Sequence, residues 1–184
     1  MTLRPLLLLK KHPALDASAE VPPEWIVTNG LGGYALGSVD GPLMRRFHGL
    51  LIAAHPAPAG RLMMLHALDE TVELGDGRVW SLRSGRSTAP TAARTDFCIQ
   101  AGLPHWTFQL DDELFIEQSL MMPHGQNTVH VRYRLIGDSA PARLTLRPWV
   151  DFRQHEGPLD AEQSRVYAVP LAQPSRGVSA LHVG

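Results

Sequence analysis

The sequence of 184 residues contains a single cysteine, Cys98. One cysteine excludes an intramolecular disulfide and any metal site that is built from several cysteines. The lack of disulfides is typical of a reducing compartment, and we expect a cytoplasmic protein. Cys98 lies in an apolar stretch, where a buried structural role is favoured over a nucleophile that would need a placed base.

Long apolar runs and an excess of one charge are lacking as well. The run of four leucines at residues 6–9 is closed by Lys10, Lys11 and His12, so it is too short for a membrane helix or a signal peptide. The 17 basic and 18 acidic side chains leave a net charge of -1, without the positive field that collects nucleic acid. We therefore expect neither a membrane nor a nucleic acid as a partner.

The dominant pattern that is present has a period of two. Apolar and polar residues alternate over residues 106–110, 129–135 and 143–147. Such alternation is typical of strands in antiparallel sheets that bury one face. Strand candidates recur about every 10 to 15 residues, and no helical period is convincing apart from a possible short N-terminal one. The sequence predicts one all-β domain over residues 1–184, an antiparallel β-sandwich of two packed sheets with long loops and little helix.

Glycine and aspartate divide these strands at three hairpin-like breaks, at residues 75–77, 111–112 and 137–139. These residue types supply positive φ angles or local hydrogen bonds in turns. Residues 83–96 and 155–165 are small and polar, which predicts two long surface loops. The last five residues resemble the middle of a strand, so we expect the chain to be a piece of something longer.

Residues 30–35 (GLGGYA) formally fit the dinucleotide-binding pattern G-x-G-x-x-G/A. That pattern needs a following helix, which Gly37, Gly41 and Pro42 would break, and an acidic residue about 20 positions later, where Leu50 stands instead. The glycines instead predict a tight turn between strands, where another backbone or a ligand can approach closely.

Two arginines and a histidine follow at the start of another apolar strand. In an extended chain Arg46 and His48 share one face, while Arg45 points to the other. This cluster could hold sugar hydroxyls or a carboxylate, or it could form structural ion pairs at a solvated strand start. Trp25, beside the glycines, is a candidate for stacking on a sugar, although a tryptophan in a strand is more often part of the core.

No catalytic constellation is found. Asp69 and Glu70 are neighbours on a predicted strand and point to opposite faces, so they cannot form the carboxyl pair of a glycosidase. The nine histidines lack metal-ligand spacing. The sequence therefore predicts no catalytic residue, no metal and no cofactor in this chain.

Three blocks of sequence, in order, resemble a known family. Residues 24–37 (EWIVTNGLGGYALG), 45–54 (RRFHGLLIAA) and 68–71 (LDET) are similar to the N-terminal domain of the archaeal and bacterial type of glycogen debranching enzyme, which is amylo-α-1,6-glucosidase-like. Residues 147–157 (RPWVDFRQHEG) resemble a later segment of that family. Phe47 stands where the family has tyrosine, and Gln154 where aspartate is common.

The resemblance implies a β-sandwich that precedes an (α/α)6 barrel, and the barrel carries the catalytic carboxylates that hydrolyse α-1,6-linked glucose at glycogen branch points. That barrel would lie downstream and is absent from these 184 residues. The implied partners are the enzyme's own C-terminal catalytic domain and an α-glucan, either glycogen or a maltooligosaccharide. The residues expected at the rim of the substrate cleft are Trp25, Asn29, Gly30, Arg45, Arg46 and His48. Two alternatives remain: a standalone α-glucan-binding module, and a purely structural sandwich whose motif residues form an interdomain interface.

Overall fold

A computed structural model describes residues 23–39, 45–83, 87–137 and 141–157. Within these ranges the chain forms strands and no helix. The strands are β1 (Glu24–Thr28), β2 (Tyr34–Ser38), β3 (Gly49–Ala54), β4 (Arg61–Leu74), β5 (Val79–Ser81), β6 (Ala93–Gln100), β7 (Leu103–Asp111), β8 (Leu114–Met121), β9 (His130–Ile136) and β10 (Ala142–Gln154). No helix in this part of the chain is long and apolar enough to cross a membrane.

The strands form two antiparallel sheets. The first has the order β1-β2-β3-β4-β10, with the short β5 also paired to β4, and the second has the order β6-β7-β8-β9. The alternation of apolar and polar residues in the sequence matches the burial. On β7, Trp106, Phe108 and Leu110 are buried, whereas the residues between them are half-buried. The predicted all-β sandwich of two sheets is confirmed.

One ring pair joins the two sheets at the centre of the core. The indole of Trp25, on β1, meets the indole of Trp106, on β7, edge to face with ring centroids 5.3 Å apart. Each indole nitrogen donates to a backbone carbonyl, Trp25 to Ser38 at 3.2 Å and Trp106 to Val39 at 3.3 Å. The pair buries large apolar rings while satisfying both polar N–H groups, as buried tryptophans require.

Two of the three predicted hairpin turns are confirmed. At the turn between β4 and β5, Gly77 has a φ of +86° and Asp76 accepts a hydrogen bond of 3.0 Å from the backbone N–H of Arg78. At the turn between β7 and β8, Asp111 accepts one of 2.8 Å from the N–H of Asp112.

The third break, at residues 137–139, does not make a hairpin. β9 pairs with β8 in the second sheet, whereas β10 pairs with β4 in the first. The chain therefore crosses from the second sheet to the first between Ile136 and Ala142, and residues 138–139 of the break lie outside the described residues. Alternation specifies which face of a strand is buried but not which strand it pairs with, so the two patterns looked like neighbours.

The predicted loop at residues 83–96 is shorter in the structure. β6 begins at Ala93 and pairs with β7. The preceding residue, Ala92, is buried, and its backbone N–H donates a hydrogen bond of 2.8 Å to the carbonyl of Ser81. Backbone pairing thus forms a strand from small and polar residues that lack an apolar alternation. The N-terminal segment, residues 158–165 of the other predicted loop and the strand-like residues 180–184 lie outside the described residues.

Candidate functional site

The turn between β1 and β2, residues 29–33 and here called the glycine turn, is held by one buried side chain. Asn29 is fully buried, and its Oδ1 accepts hydrogen bonds from the backbone N–H groups of Leu31 at 2.9 Å and Gly33 at 3.0 Å. Gly30 and Gly32 have φ angles of +76° and +93°, which favour glycine. The motif therefore builds the tight turn that the sequence predicts.

The same asparagine ties this turn to the second sheet. Its Nδ2 donates to the Gln126 carbonyl and to Asn127 Oδ1, both at 3.0 Å. Asn127, between β8 and β9, in turn pairs with the backbone of Ala54 at the end of β3: its Oδ1 accepts from the N–H at 2.9 Å and its Nδ2 donates to the carbonyl at 2.7 Å. Two asparagines thus fix three connections at one end of the sandwich.

Asn127 carries no signal in the sequence, because its partners lie 73 and 98 residues away. Gly33 shows the predicted close backbone approach. A Cβ atom there would lie 2.6 Å from Asn29 Nδ2 and 2.9 Å from the Ile52 carbonyl oxygen. A Cβ on Gly30 would collide with the His124 ring.

Arg45 and His48 share one acidic partner. Glu24 Oε1 lies 2.9 Å from Arg45 Nε and 2.9 Å from His48 Nε2. The His48 side chain is buried, whereas that of Arg45 is more than half exposed. The structural ion pair that the sequence left open for this cluster is present, and it links the strand start of β3 to β1.

Arg46 is held against the end of β10. The Arg153 side chain is only 8% exposed. Its guanidinium donates hydrogen bonds of 2.7 Å to the Arg46 carbonyl and 2.8 Å to the Asp151 carboxylate. It also donates to the carbonyls of residues 154, 155 and 157 at 3.3–3.5 Å. Arg46 Nη1 donates back to the Glu156 carbonyl at 3.4 Å, and its guanidinium lies 4.7 Å from the centroid of the Phe47 ring. The two blocks of sequence at residues 45–54 and 147–157 therefore meet in space.

A cavity of about 390 Å³, here called the cleft, opens at this same end. Its walls are the glycine turn at Leu31 and Gly32, the connection from β3 to β4, and the end of β10. Arg61 Nε donates a hydrogen bond of 2.6 Å to the Gly32 carbonyl, and the Arg61 carbonyl accepts one of 3.1 Å from the N–H of His155. One residue therefore joins all three walls.

The sequence of this chain matches a known protein family. The family model described as "Glycogen debranching enzyme N terminal" matches residues 23–180. The chain belongs to this family. No curated protein and no solved structure matches it. The match begins next to β1 and covers the glycine turn, both arginine-containing blocks and the cleft of this debranching-enzyme N-terminal domain.

Within the debranching-enzyme domain, the six predicted rim residues are not brought together at one end. Asn29 and Gly30 lie in the glycine turn, whereas Arg45 and His48 bond Glu24 at the opposite end of β1. Trp25 is 4% exposed and lies in the core, so its ring has no face open to a sugar. Asn29 and His48 are buried, and Gly30, Arg45 and Arg46 are exposed. The polar side chains that line the cleft were not among the predicted residues; they are His55, Arg61, Gln154, His155 and Glu156. The only signal in the sequence for His55 and Arg61 was that they flank the turn-prone residues 56–60.

A second polar cluster of this debranching-enzyme domain lies between the sheets. Glu70 Oε1 accepts hydrogen bonds from the Gln118 amide and the Tyr133 hydroxyl, and Arg83 Nε lies 3.5 Å from its Oε2. Arg83 also donates 2.6 Å to Gln118 and lies over the Trp106 ring. Burial raises the pKa of Glu70, and the Arg83 guanidinium opposes this shift. The cluster is an internal bridge between sheets.

Asp69 points to the other face of β4, where the Trp149 indole donates 2.7 Å to its Oδ2. The prediction that Asp69 and Glu70 lie on opposite faces is thus confirmed, and this debranching-enzyme domain does not pair them for catalysis. Among the described residues, no group of three or more His, Cys, Asp or Glu side chains is placed to hold a metal ion.

Cys98 of the debranching-enzyme domain lies on β6 and is half-buried, less buried than the structural role favoured from the sequence implies. β6 is the first strand in the order of its sheet, which leaves it less covered than β7. Desolvation, together with Asp96 and Glu117, raises the pKa of its thiol. A raised thiol pKa lowers the thiolate fraction at neutral pH, which disfavours an activated nucleophile at this residue.

Proposed function

We propose that this chain is the non-catalytic N-terminal domain of a cytoplasmic glycogen debranching enzyme, an α-1,6-glucosidase that acts on glycogen branch points. In this proposal the domain packs on an (α/α)6 catalytic barrel downstream and contributes to its substrate cleft. The observation that carries the proposal is the family match over residues 23–180, because it covers all of the described sandwich.

The geometry of the glycine-turn end supports this role. Asn29, Asn127 and Arg153 are hydrogen bonded inward, so the end is a fixed surface. Leu31 in the glycine turn lines the polar cleft, and both Leu31 and Ile26 on β1 expose more than half of their surface. Apolar residues next to polar ones are typical of surfaces that contact another domain.

The test uses the protein as its cells produce it. An antibody raised against this chain should deplete α-1,6-glucosidase activity on a glycogen limit dextrin from a lysate, and should detect a polypeptide well above 20.2 kDa. A species near 20.2 kDa whose depletion leaves the activity in the lysate would overturn the proposal and favour a standalone glucan-binding module.

Arg46 gives a prediction at the level of the enzyme. In the full-length protein, Arg46→Ala should raise the KM for branched dextrin roughly three- to tenfold, because it removes a hydrogen bond and a cation–π contact beside the cleft. Arg132→Ala is the matched control, since this exposed arginine lies on β9 in the second sheet. Equal kinetics of the two variants would assign Arg46 a purely structural role.

A further inference from the structure

The cleft is held in shape before any ligand arrives. Besides the bonds of Arg61 to the glycine turn and to His155, the N–H of His55 donates 2.8 Å to the Gly60 carbonyl and closes the connection from β3 to β4. The His155 ring packs against Phe47 and Tyr34, with centroids 5.8 and 6.4 Å away. The volume of about 390 Å³ lies within the roughly 300–1,000 Å³ typical of small-molecule sites. Fixed walls reduce the ordering cost of binding.

The exposed side chains of the cleft supply both donors and acceptors. His55 and Gln154 line it and are exposed, and their side chains make no hydrogen bond to another described residue. Arg61 uses Nε for Gly32, which leaves the two Nη groups of its exposed side chain. Glu156 adds a carboxylate that is 74% exposed. An amide, an imidazole, a guanidinium and a carboxylate together match a ligand that carries several hydroxyl groups, each a donor and an acceptor.

The charges of the cleft disfavour an anion as its ligand. The guanidinium of Arg61 and the carboxylate of Glu156 both line the cleft, so a phosphate would gain one attraction and meet one repulsion. A neutral ligand meets no such repulsion. Leu31 and Pro58 add apolar surface at the edge of the cleft, which suits the C–H face of a sugar ring.

We propose that the cleft binds a glucosyl unit of an α-glucan, with His55, Arg61, Gln154 and Glu156 as its hydrogen-bonding groups. The identity of the sugar rests on the proposed function, whereas the neutral polyhydroxy character of the ligand rests on the cleft alone. The binding residues are thus distinct from the buried motif residues, of which Asn29 holds the glycine-turn wall in place. Gln154, where the family commonly has aspartate, keeps an acceptor and adds a donor without adding a second negative charge.

The test is a titration of this chain followed by backbone amide NMR, with maltotriose, its branched analogue 6-O-α-glucosylmaltotriose, and inorganic phosphate as separate probes. Either sugar should shift the amides of Leu31, Gly32 and Gly60 with a Kd of about 1 mM, typical of a few hydrogen bonds in an open site. His55→Ala and Gln154→Ala should each weaken binding roughly three- to tenfold through one lost hydrogen bond. His130→Ala and Gln100→Ala, exposed residues on the second sheet, are the matched controls and should leave it unchanged.

Two results would overturn the inference. Shifts of the same amides by phosphate and not by sugar would make the cleft an anion site, and no shift with any probe would leave it a surface that contacts protein only. Each variant is first checked for an unchanged amide spectrum away from the cleft. The result is separable from the proposed function, because antibody depletion of debranching activity does not depend on whether this cleft holds sugar.

Discussion

Gly33 lies where two hydrogen-bonded groups leave no space for a side chain. Its missing Cβ would meet Asn29 Nδ2 at 2.6 Å and the Ile52 carbonyl oxygen at 2.9 Å. The Asn29 amide cannot move away without losing its bonds to Gln126 and Asn127, and the carbonyl belongs to β3. The close approach of backbone therefore depends on glycine at this residue, although its φ is not positive.

Gly33→Ala should accordingly lower the free energy of unfolding by about 3 kcal/mol or more, as overpacking against fixed polar groups does. Gly77→Ala is the control: its φ is +86°, but a Cβ there would meet nothing within 4 Å, so about 1 kcal/mol of backbone strain is expected. Urea unfolding monitored by circular dichroism measures both. Equal losses would show that the glycine turn can relax around a methyl group.

Glu70 gives the domain a dependence on pH. Because its pKa is raised in the folded state, the folded protein holds this proton more tightly than the unfolded chain does. Stability should therefore fall as pH rises from the ordinary glutamate value of 4.5 through the raised value, while Arg83, Gln118 and Tyr133 limit the loss. Glu70→Gln should flatten this part of the curve of unfolding free energy against pH. Glu117→Gln, on the exposed face of β8, is the control and should leave the curve unchanged. If the curve of Glu70→Gln still falls in this range, Glu70 is excluded as the cause.

Among single residues, the sequence predicted those whose role is local. Gly30 and the glycines after it belong to a contiguous motif, and the tight turn follows from their conformational preferences. Asn29 was expected at the rim of a substrate cleft, and its hydrogen bonds within the turn were not predicted. The cleft residues were missed because His55 and Gln154 become neighbours only through pairing of β3, β4 and β10. The sequence left the role of Trp25 open, because the alternation of β1 is the same whether this face of the strand meets the second sheet or solvent.

Among the strands, β4 has the most complete pairing. Residues Thr71–Glu73 pair with β5 on one side and with β10 on the other. β10 lies at the end of its sheet in the strand order, so alternate amides along it point away from β4. Period-two alternation predicted both strands, but it could not show that the crossing at residues 137–139 places β9 and β10 in different sheets.

Hydrogen exchange should reflect this difference in pairing. Amides of β4 at residues 71–73 should exchange about tenfold or more slowly than the outward amides of β10, because exchange at a sheet edge needs only local opening. Exchange followed by NMR in deuterated buffer measures both sets at once. Equal protection of the outward β10 amides would mean that a further segment pairs with this edge.

For the whole molecule, the two sheets share one core through Trp25 and Trp106, and the Glu70 cluster bridges them a second time. Loss of either sheet would expose the large rings of the other. The sandwich should therefore unfold as a unit.

In urea, the transition seen by tryptophan fluorescence should coincide with that seen by far-ultraviolet circular dichroism. A fluorescence change at lower urea, with strand signal retained, would instead show that the sheets separate before they unfold. The all-β class and two-sheet architecture were predictable at this scale because alternation is a property of the chain as a whole, whereas sheet membership depends on contacts between distant strands.

The Arg153 guanidinium has a consequence for how the molecule responds to dissolved salt. It is nearly buried and bonds mainly to backbone carbonyls. Mobile ions screen exposed charges over a Debye length of about 8–10 Å, but they have little access to buried contacts of this kind. At the far end of β4, roughly 40 Å away for a strand of this length, Arg78 meets Asp76 and Asp111 with all three side chains about half exposed. Raising the ionic strength should weaken the distant charged turn and leave the shape of the cleft unchanged, so sugar affinity should be the same in dilute and in concentrated electrolyte.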